Sequence, residues 1–293
     1  MMMIRIFFVF SAILAPRFLE ALGVSYILVR DCRCMFAEVN GVRLCYEVFG
    51  DGEPVVLIAG FGANRKFWGN MVPLLDGFKC ITLDNRGIGD TEYEGDFSVD
   101  DMADDIIALM DHLGISRFSA LGWSMGSLIL QSMSLRYPDR IASQILVSTY
   151  RDRPARSSYV LGEFTRMVNE GTCSMEGFYV MVNTLCLSEG VFRSFEDRGR
   201  NVPVPRRNER PEGIRDQLKA IVEFYPGERL SEIRIPTLVV QGTEDIMTPF
   251  ELGRTVCDMI DGAELYPVEG QGHNIMSELY AQKVSSFLRS HLE

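Results

Sequence analysis

The 293-residue sequence has little of several features that mark particular protein classes. Its 29 basic residues are outnumbered by 40 acidic ones, and a net charge of −11 disfavours binding to nucleic-acid phosphates or anionic lipid. The seven cysteines are odd in number and scattered, which argues against a disulfide framework and favours a reducing compartment. Internal repeats and low-complexity segments are absent. These absences leave an ordinary globular composition, 47% hydrophobic, and we expect a cytoplasmic protein that binds no nucleic acid.

The N-terminal segment contains an apolar run, Ile6 to Ala15, that is too short to span a bilayer as a helix. Its length matches the core of a signal peptide, but the cleavage pattern around Ala15 is poor. Met35 opens a more ordinary domain start, so we interpret residues 1–34 as an extension that the fold does not need. An exported or membrane-anchored protein is the alternative, and a membrane partner is expected only in that case.

From residue 36 the sequence alternates strands and helices, which is typical of a mostly parallel sheet covered by helices. We predict eight strands, several of them continuously apolar because both faces of such a sheet are buried. The predicted strands are Phe36–Val39, Val42–Phe49, Val55–Ala59, Lys79–Leu83, Phe118–Leu121, Gln144–Val147, Thr237–Gln241 and Glu264–Val268. The predicted helices are Arg65–Leu75, Ser98–Leu113, Met125–Arg136, a helix after Pro249, and Ile275–Leu292.

Residues 150–231 interrupt this alternation, since they contain several helical runs and no strong strand. We therefore predict an α/β core of residues 35–149 and 232–293, with a helical cap (a lid) of residues 150–231 inserted after the sixth strand. Most apolar side chains of the cap are expected to pack onto the carboxyl edge of the sheet, and a few to line an apolar substrate cavity with Trp123 and Phe61. The apolar cap residues singled out are Tyr159, Phe164, Met167, Phe178, Met181 and Leu185.

Four acids, Asp100, Asp101, Asp104 and Asp105, open the helix Ser98–Leu113. Acidic residues favour the first turn of a helix, so we interpret this cluster as its solvated start. A metal site is the alternative, but no histidine or cysteine converges on these acids, and we predict neither a metal nor another cofactor.

The segment GWSMG places Ser124 between the predicted strand Phe118–Leu121 and the predicted helix Met125–Arg136. A sharp turn between strand and helix holds a nucleophile in strained backbone geometry at the carboxyl edge of the sheet. Gly122 and Gly126 suit this turn because a side chain at either position would collide with a neighbouring strand or helix. Ser124 is the candidate nucleophile, and a chance match to the pentapeptide is the alternative.

A serine hydroxyl needs a base to take its proton, and the sequence contains only three histidines. His112 lies inside a predicted helix away from the carboxyl edge, and His291 is third from the end of the chain. His273 follows the last strand in a glycine-rich loop, GQGH, from which it could reach Ser124. His273 is therefore the candidate base.

An acceptor must hold the imidazole in the required tautomer, and Asp245 stands just beyond the strand Thr237–Gln241. Glu244 and Asp152 are competitors, and an aspartate in a turn before a proline is the structural alternative. For the oxyanion, we expect the backbone N–H groups of Met125 and Phe61 to act as donors. The glycines around Phe61 would otherwise only form a tight turn.

The order Ser124, Asp245, His273, each in its own loop, resembles the α/β-hydrolase superfamily. The segment DNRGIG at residues 84–89 also looks like the turn after the fourth strand of that superfamily. The resemblance covers residues 36–150 and 232–293, and it implies the α/β-hydrolase sheet, the triad and the two oxyanion donors. One departure is that Ala59-Gly60 stands where many relatives carry His-Gly.

Within the superfamily, the sequence is most similar to small-molecule carboxylesterases and lactonases, including 3-oxoadipate enol-lactonase-like proteins. The resemblance implies hydrolysis of an ester or lactone with an apolar acyl or ring portion through an acyl-enzyme. The alternatives are a cofactor-free haloperoxidase-like or aminopeptidase-like member, or a triad-bearing ligand sensor with little turnover. Trp123 and Met125 depart from the aminopeptidase pattern, and a serine at position 124 argues against epoxide hydrolases and haloalkane dehalogenases.

Overall fold

One sheet of eight strands runs through the computed structural model, which describes residues 34–197, 199, 201–202 and 210–292. Its strands are β1 (Met35–Val39), β2 (Val42–Phe49), β3 (Glu53–Ile58), β4 (Phe78–Leu83), β5 (Phe118–Trp123), β6 (Ile141–Val147), β7 (Thr237–Gly242) and β8 (Glu264–Val268). Their order across the sheet is β1-β2-β4-β3-β5-β6-β7-β8. Strand β2 pairs antiparallel with β1 and β4, and all other neighbouring strands pair parallel. The predicted mostly parallel sheet of eight strands is confirmed.

Helices cover both faces of this sheet. Those that pack on the sheet are α1 (Val99–His112), α2 (Met125–Arg136), α7 (Phe250–Met259) and α8 (Ser277–Ser290). The others are α3 (Ala155–Asn169), α4 (Met175–Cys186), α5 (Glu189–Glu196) and α6 (Pro211–Glu223). Alternate residues of β3 serve opposite faces: Val56 packs with α1, α2 and α7, and Val55 packs with α8. Burial on both faces explains why the central strands are continuously apolar.

The predicted helix Arg65–Leu75 is instead two short 3₁₀ helices, Arg65–Asn70 and Val72–Leu74. Pro73 lacks the N–H that an α-helix would use, and its ring disfavours helical geometry at the residue before it. The prediction of an α-helix in this segment was therefore wrong.

The acid cluster of α1 was predicted to be solvated throughout, but Asp105 is only 2% exposed. Its two carboxylate oxygens accept hydrogen bonds of 2.7 and 2.8 Å from the guanidinium of Arg86. Asn40 adds a third donor at 2.8 Å, so this acid anchors the loop after β4 to α1. The interpretation as a solvated cluster was wrong for Asp105, whereas Asp101 lies at the helix start, where it forms a capping box with Ser98.

The helices α3, α4, α5 and α6 lie between β6 and β7 in the chain, and α3, α4 and α6 share a separate group of buried side chains. Phe178 and Tyr179 from α4 pack there with Ile214 from α6 and with Ile88 from the loop after β4. Tyr159 does not join this group, since it is 71% exposed, and its predicted role in packing was wrong.

No helix in the described ranges is long and apolar enough to cross a membrane. The apolar run Ile6–Ala15 and the interpreted extension 1–34, apart from Cys34, lie outside those ranges.

Candidate active site

Ser124 occupies the turn between β5 and α2, where its backbone has a φ of 54° and a ψ of −117°. This left-handed geometry is strained for a residue with a side chain. The two flanking glycines make the turn possible. A Cβ on Gly122 would lie 2.3 Å from the carbonyl oxygen of Gly126, and one on Gly126 would lie 2.1 Å from the carbonyl oxygen of Ile58. The sequence thus folds into a turn that presents Ser124 at the carboxyl edge of the sheet.

His273 lies beside this serine, with 2.8 Å between its Nε2 and the Oγ of Ser124. The ring is 1% exposed, and its backbone carbonyl accepts hydrogen bonds from Trp123 Nε1 at 2.9 Å and Ser148 Oγ at 2.7 Å. His112 instead ends α1 in an edge contact with Tyr46, remote from the turn. Of the described histidines, His273 is the one that forms a hydrogen bond with Ser124.

Asp245 completes a hydrogen-bonded series, with 2.9 Å between its Oδ2 and the Nδ1 of His273. The competing acids lie elsewhere: Glu244 is exposed, and Asp152 is paired with Arg151. The structure therefore brings together the three residues that the sequence singled out, in the order serine, histidine, aspartate.

Two residues that the sequence reasoning missed hold this aspartate. Thr248 donates its hydroxyl to Asp245 Oδ2 at 2.7 Å and lies 3.0 Å from Nδ1 of His273. Gln241, at 0% exposure on β7, donates its amide to the same carboxylate oxygen at 3.1 Å. The backbone N–H groups of Met247 and Thr248 donate to the other oxygen at 2.8 Å each. Asp245 therefore also has the structural role of an aspartate in a turn, and these bonds fix its carboxylate against the imidazole.

Two backbone N–H groups beside Ser124 have no hydrogen-bond partner among the described residues: those of Phe61 and Met125. Met125 is the first residue of α2, where backbone donors are left without an intrahelical acceptor. Phe61 follows β3, the neighbour of β5 in the sheet. Its loop approaches Trp123 closely because Gly60 has no side chain; a Cβ there would lie 2.7 Å from the ring of Trp123. The arrangement provides two donors near the serine, as an oxyanion site requires.

Side chains of α6 and α4 form hydrogen bonds with the loop that carries Phe61. Gln217 of α6 is 0% exposed, accepts from the N–H of Gly62 at 3.0 Å and donates to the carbonyl of Arg86 at 2.7 Å. The hydroxyl of Tyr179 donates to the carbonyl of Gly62 at 3.1 Å. Because these bonds join residues more than a hundred positions apart, no local sequence pattern could have revealed them.

A narrow cavity of about 50 Å³ lies over Ser124 and His273. Trp123 and Phe61 line it, as the sequence analysis expected. The apolar side chains of α3, α4 and α6 at its wall are not those singled out from the sequence; they are Leu161, Val182, Leu218, Ile221 and Val222. Cys186 also faces this cavity, but burial raises the pKa of its thiol and keeps it protonated at neutral pH.

The sequence profile of the α/β-hydrolase fold family matches residues 53–278, more than half of the chain. The chain belongs to this family. The predicted membership of the α/β-hydrolase superfamily is thereby confirmed, and with it a hydrolase-type enzyme fold.

Known members of the family differ in what their names say they do. The chain is 29% identical over 245 residues to a provisionally named non-heme bromoperoxidase of Mycobacterium tuberculosis H37Rv, covering 79% of this chain and 91% of that protein. It is 25% identical over 225 residues to a pimeloyl-[acyl-carrier protein] methyl ester esterase of Neisseria meningitidis, covering 75% of this chain and 86% of that one. The solved enol-lactonase of Burkholderia xenovorans LB400 superposes with a TM-score of 0.77 at 24% identity, covering 87% of this chain and 100% of the enzyme. This structural likeness concerns the fold.

Proposed function

We propose that the protein hydrolyses a small carboxylic ester or lactone, with Ser124 as nucleophile, His273 as general base and acid, and Asp245 as the orienting acid. The observation that carries this proposal is the series of two hydrogen bonds, 2.8 Å from serine to imidazole and 2.9 Å from imidazole to carboxylate. The series lies at the carboxyl edge of the sheet, where Ser124 also lines the apolar cavity.

The first half of the reaction forms an acyl-enzyme. Ser124 Oγ attacks the carbonyl carbon while Nε2 of His273 takes the hydroxyl proton, and Nδ1–H of the imidazolium remains bonded to Asp245. The oxyanion of the tetrahedral intermediate accepts from the free N–H groups of Phe61 and Met125. The carbon–oxygen bond to the leaving group then breaks as Nε2 returns the proton to the departing alcohol, or to the ring oxygen of a lactone.

The second half releases the acid. His273 takes a proton from a water molecule, whose oxygen attacks the acyl carbon, and the same two N–H groups bind the second oxyanion. When that intermediate collapses, the imidazolium protonates Ser124 and the free enzyme is restored.

The inserted helices α3 to α6 are proposed to act as a cap that shapes the acyl site. Their apolar side chains form one wall of the cavity, and Gln217 and Tyr179 connect the cap to the loop that carries Phe61. The narrow cavity favours a small substrate whose acyl or ring portion is apolar.

The test uses a panel of short-chain esters and lactones with the wild type, Ser124→Ala and a matched serine variant. Ser134→Ala removes another buried serine of α2 whose hydroxyl bonds Gln144 rather than the site. We expect Ser124→Ala to lose at least about 10³-fold in kcat and Ser134→Ala to keep the wild-type rate. Ligand binding by the wild type without turnover of any panel member would instead indicate a ligand sensor.

A further inference from the structure

The rim of the cavity carries an arginine that has no acidic partner among the described residues. Arg153 lies in the short segment between β6 and α3 and lines the cavity together with Ser124 and His273. Within the described part of the chain, it forms neither a hydrogen bond nor a salt bridge. Its neighbour Arg151 differs, since it is paired with Asp152 and Glu228.

The described lining of the cavity offers Arg153 no acidic counterpart. The described residues that line the cavity include no aspartate and no glutamate, although the chain as a whole carries a net charge of −11. Arg153 is exposed and can be solvated by water, but it lines the cavity without a competing acid in the described lining, so it is placed to bind an anionic ligand.

A second group points to the same ligand. Tyr150 is 8% exposed and lines the cavity, and its hydroxyl has no hydrogen-bond partner in the described structure. Burial raises the pKa of this phenol, so it stays protonated and able to donate, and the charge of Arg153 acts on it electrostatically. The hydroxyl itself is not fully enclosed, so it can open onto the cavity and donate to an acceptor of a ligand.

The remainder of the wall is apolar. Leu161, Val182 and Leu218 line the same cavity as the two donors and the reacting serine. A molecule that fills the site therefore contacts the nucleophile, an aliphatic surface and two donors, of which Arg153 is cationic and Tyr150 is neutral. Together these groups match an acyl chain that ends in an anion.

We propose that the substrate is an acidic ester or lactone whose acyl portion ends in a carboxylate, and that Arg153 and Tyr150 bind this carboxylate. The inference rests on the proposed ester hydrolysis and names the substrate class for it. A guanidinium fork matches the planar geometry of a carboxylate and fixes which end of the acyl chain faces Ser124.

The experiment compares pairs of esters that differ only in a terminal carboxylate against a methyl group. Monomethyl adipate is assayed against methyl hexanoate, and the same comparison is made for succinate with butanoate and for suberate with octanoate. We expect kcat/KM to be about three- to fivefold higher for the acid of the best-fitting pair, since Arg153 is exposed and its ion pair is screened by solvent. Added salt should reduce this preference.

Arg153→Gln is expected to bring the ratio of acidic to neutral ester close to one, mainly through KM. Arg156→Gln is the matched control, because Arg156 is an exposed arginine of the same helix start that does not line the cavity, and it should keep the ratio. A wild type without preference for any acidic ester, or an equal loss in both variants, would overturn the inference while leaving ester hydrolysis intact.

Binding to a non-hydrolysing variant separates this inference from the proposed reaction. In a Ser124→Ala background, calorimetry should show monomethyl adipate binding about three- to fivefold more weakly once Arg153→Gln is added. Equal affinity with and without Arg153 would refute the carboxylate site, whether or not the wild type turns over esters. Absence of turnover on neutral and acidic esters alike, with this affinity difference intact, would contradict the proposed function instead.

Discussion

Gln217 connects the inserted helices to the loop that carries the proposed oxyanion donor Phe61, so its replacement should affect stability and catalysis by separate amounts. Gln217→Met keeps much of the side-chain volume but removes both hydrogen bonds. The N–H of Gly62 and the carbonyl of Arg86, bonded at 3.0 and 2.7 Å, would then lose their partner in a buried site.

The magnitude follows from those two groups. Leaving a buried donor or acceptor without a partner costs about 1–3 kcal/mol, so two predict a loss of about 2–6 kcal/mol in the free energy of unfolding. Complete loss of an oxyanion donor typically lowers kcat by about 10²–10³-fold. Because Tyr179 still holds the carbonyl of Gly62, we expect a partial displacement of the loop and a fall in kcat of about 10–100-fold.

The matched control is Gln144→Met. Gln144 is also 0% exposed and bonds Ser134 and Thr237 through its amide, but it does not contact the loop. Urea unfolding and steady-state kinetics on a short-chain ester should show that both variants are destabilised and that only Gln217→Met loses kcat. A kcat for Gln217→Met within twofold of Gln144→Met would refute the positioning role.

Three further substitutions test other contacts of the site and its support. Thr248→Val removes the hydroxyl that holds the triad carboxylate and should lower kcat about tenfold, measured by ester kinetics; an unchanged kcat would contradict this role. Trp123→Phe removes the indole donor to the carbonyl of His273 and should lower kcat less, by about two- to fivefold, because a second donor to that carbonyl remains. Arg86→Met leaves Asp105 buried without its cation and should cost about 3–5 kcal/mol in urea unfolding, with a cost below 1 kcal/mol as the contrary result.

Much of the core could be predicted from sequence because its signals are local. Each central strand is a continuous apolar run. The tight turn consists of Asn40 and Gly41, two residues that tolerate the positive φ values of 45° and 75° found there. The positions of Ser124, Asp245 and His273 followed from their places just after predicted strands, since parallel strands present their carboxyl ends along one edge of the sheet.

The contacts that support the site could not be predicted in the same way. Gln217 and Gly62 are 155 residues apart, and an amphipathic pattern in α6 does not say that one of its polar residues turns inward to a loop. Asp105 looked like its acidic neighbours in sequence, yet its buried pairing with Arg86 depends on how the loop after β4 crosses α1. The prediction that Tyr159 packs was wrong because an apolar period in a helix does not decide which of its residues the tertiary structure covers.

The central claim is that Ser124 is a nucleophile activated by His273, and covalent trapping tests it most directly. The wild type is treated with a fluorophosphonate reagent, digested and examined by tandem mass spectrometry, beside His273→Ala and the remote control His112→Ala. We expect one phosphonyl adduct on Ser124 in the wild type and in His112→Ala, with its rate of formation reduced by at least about 10³-fold in His273→Ala. An adduct on another residue, or labelling of Ser124 at an equal rate without His273, would contradict it.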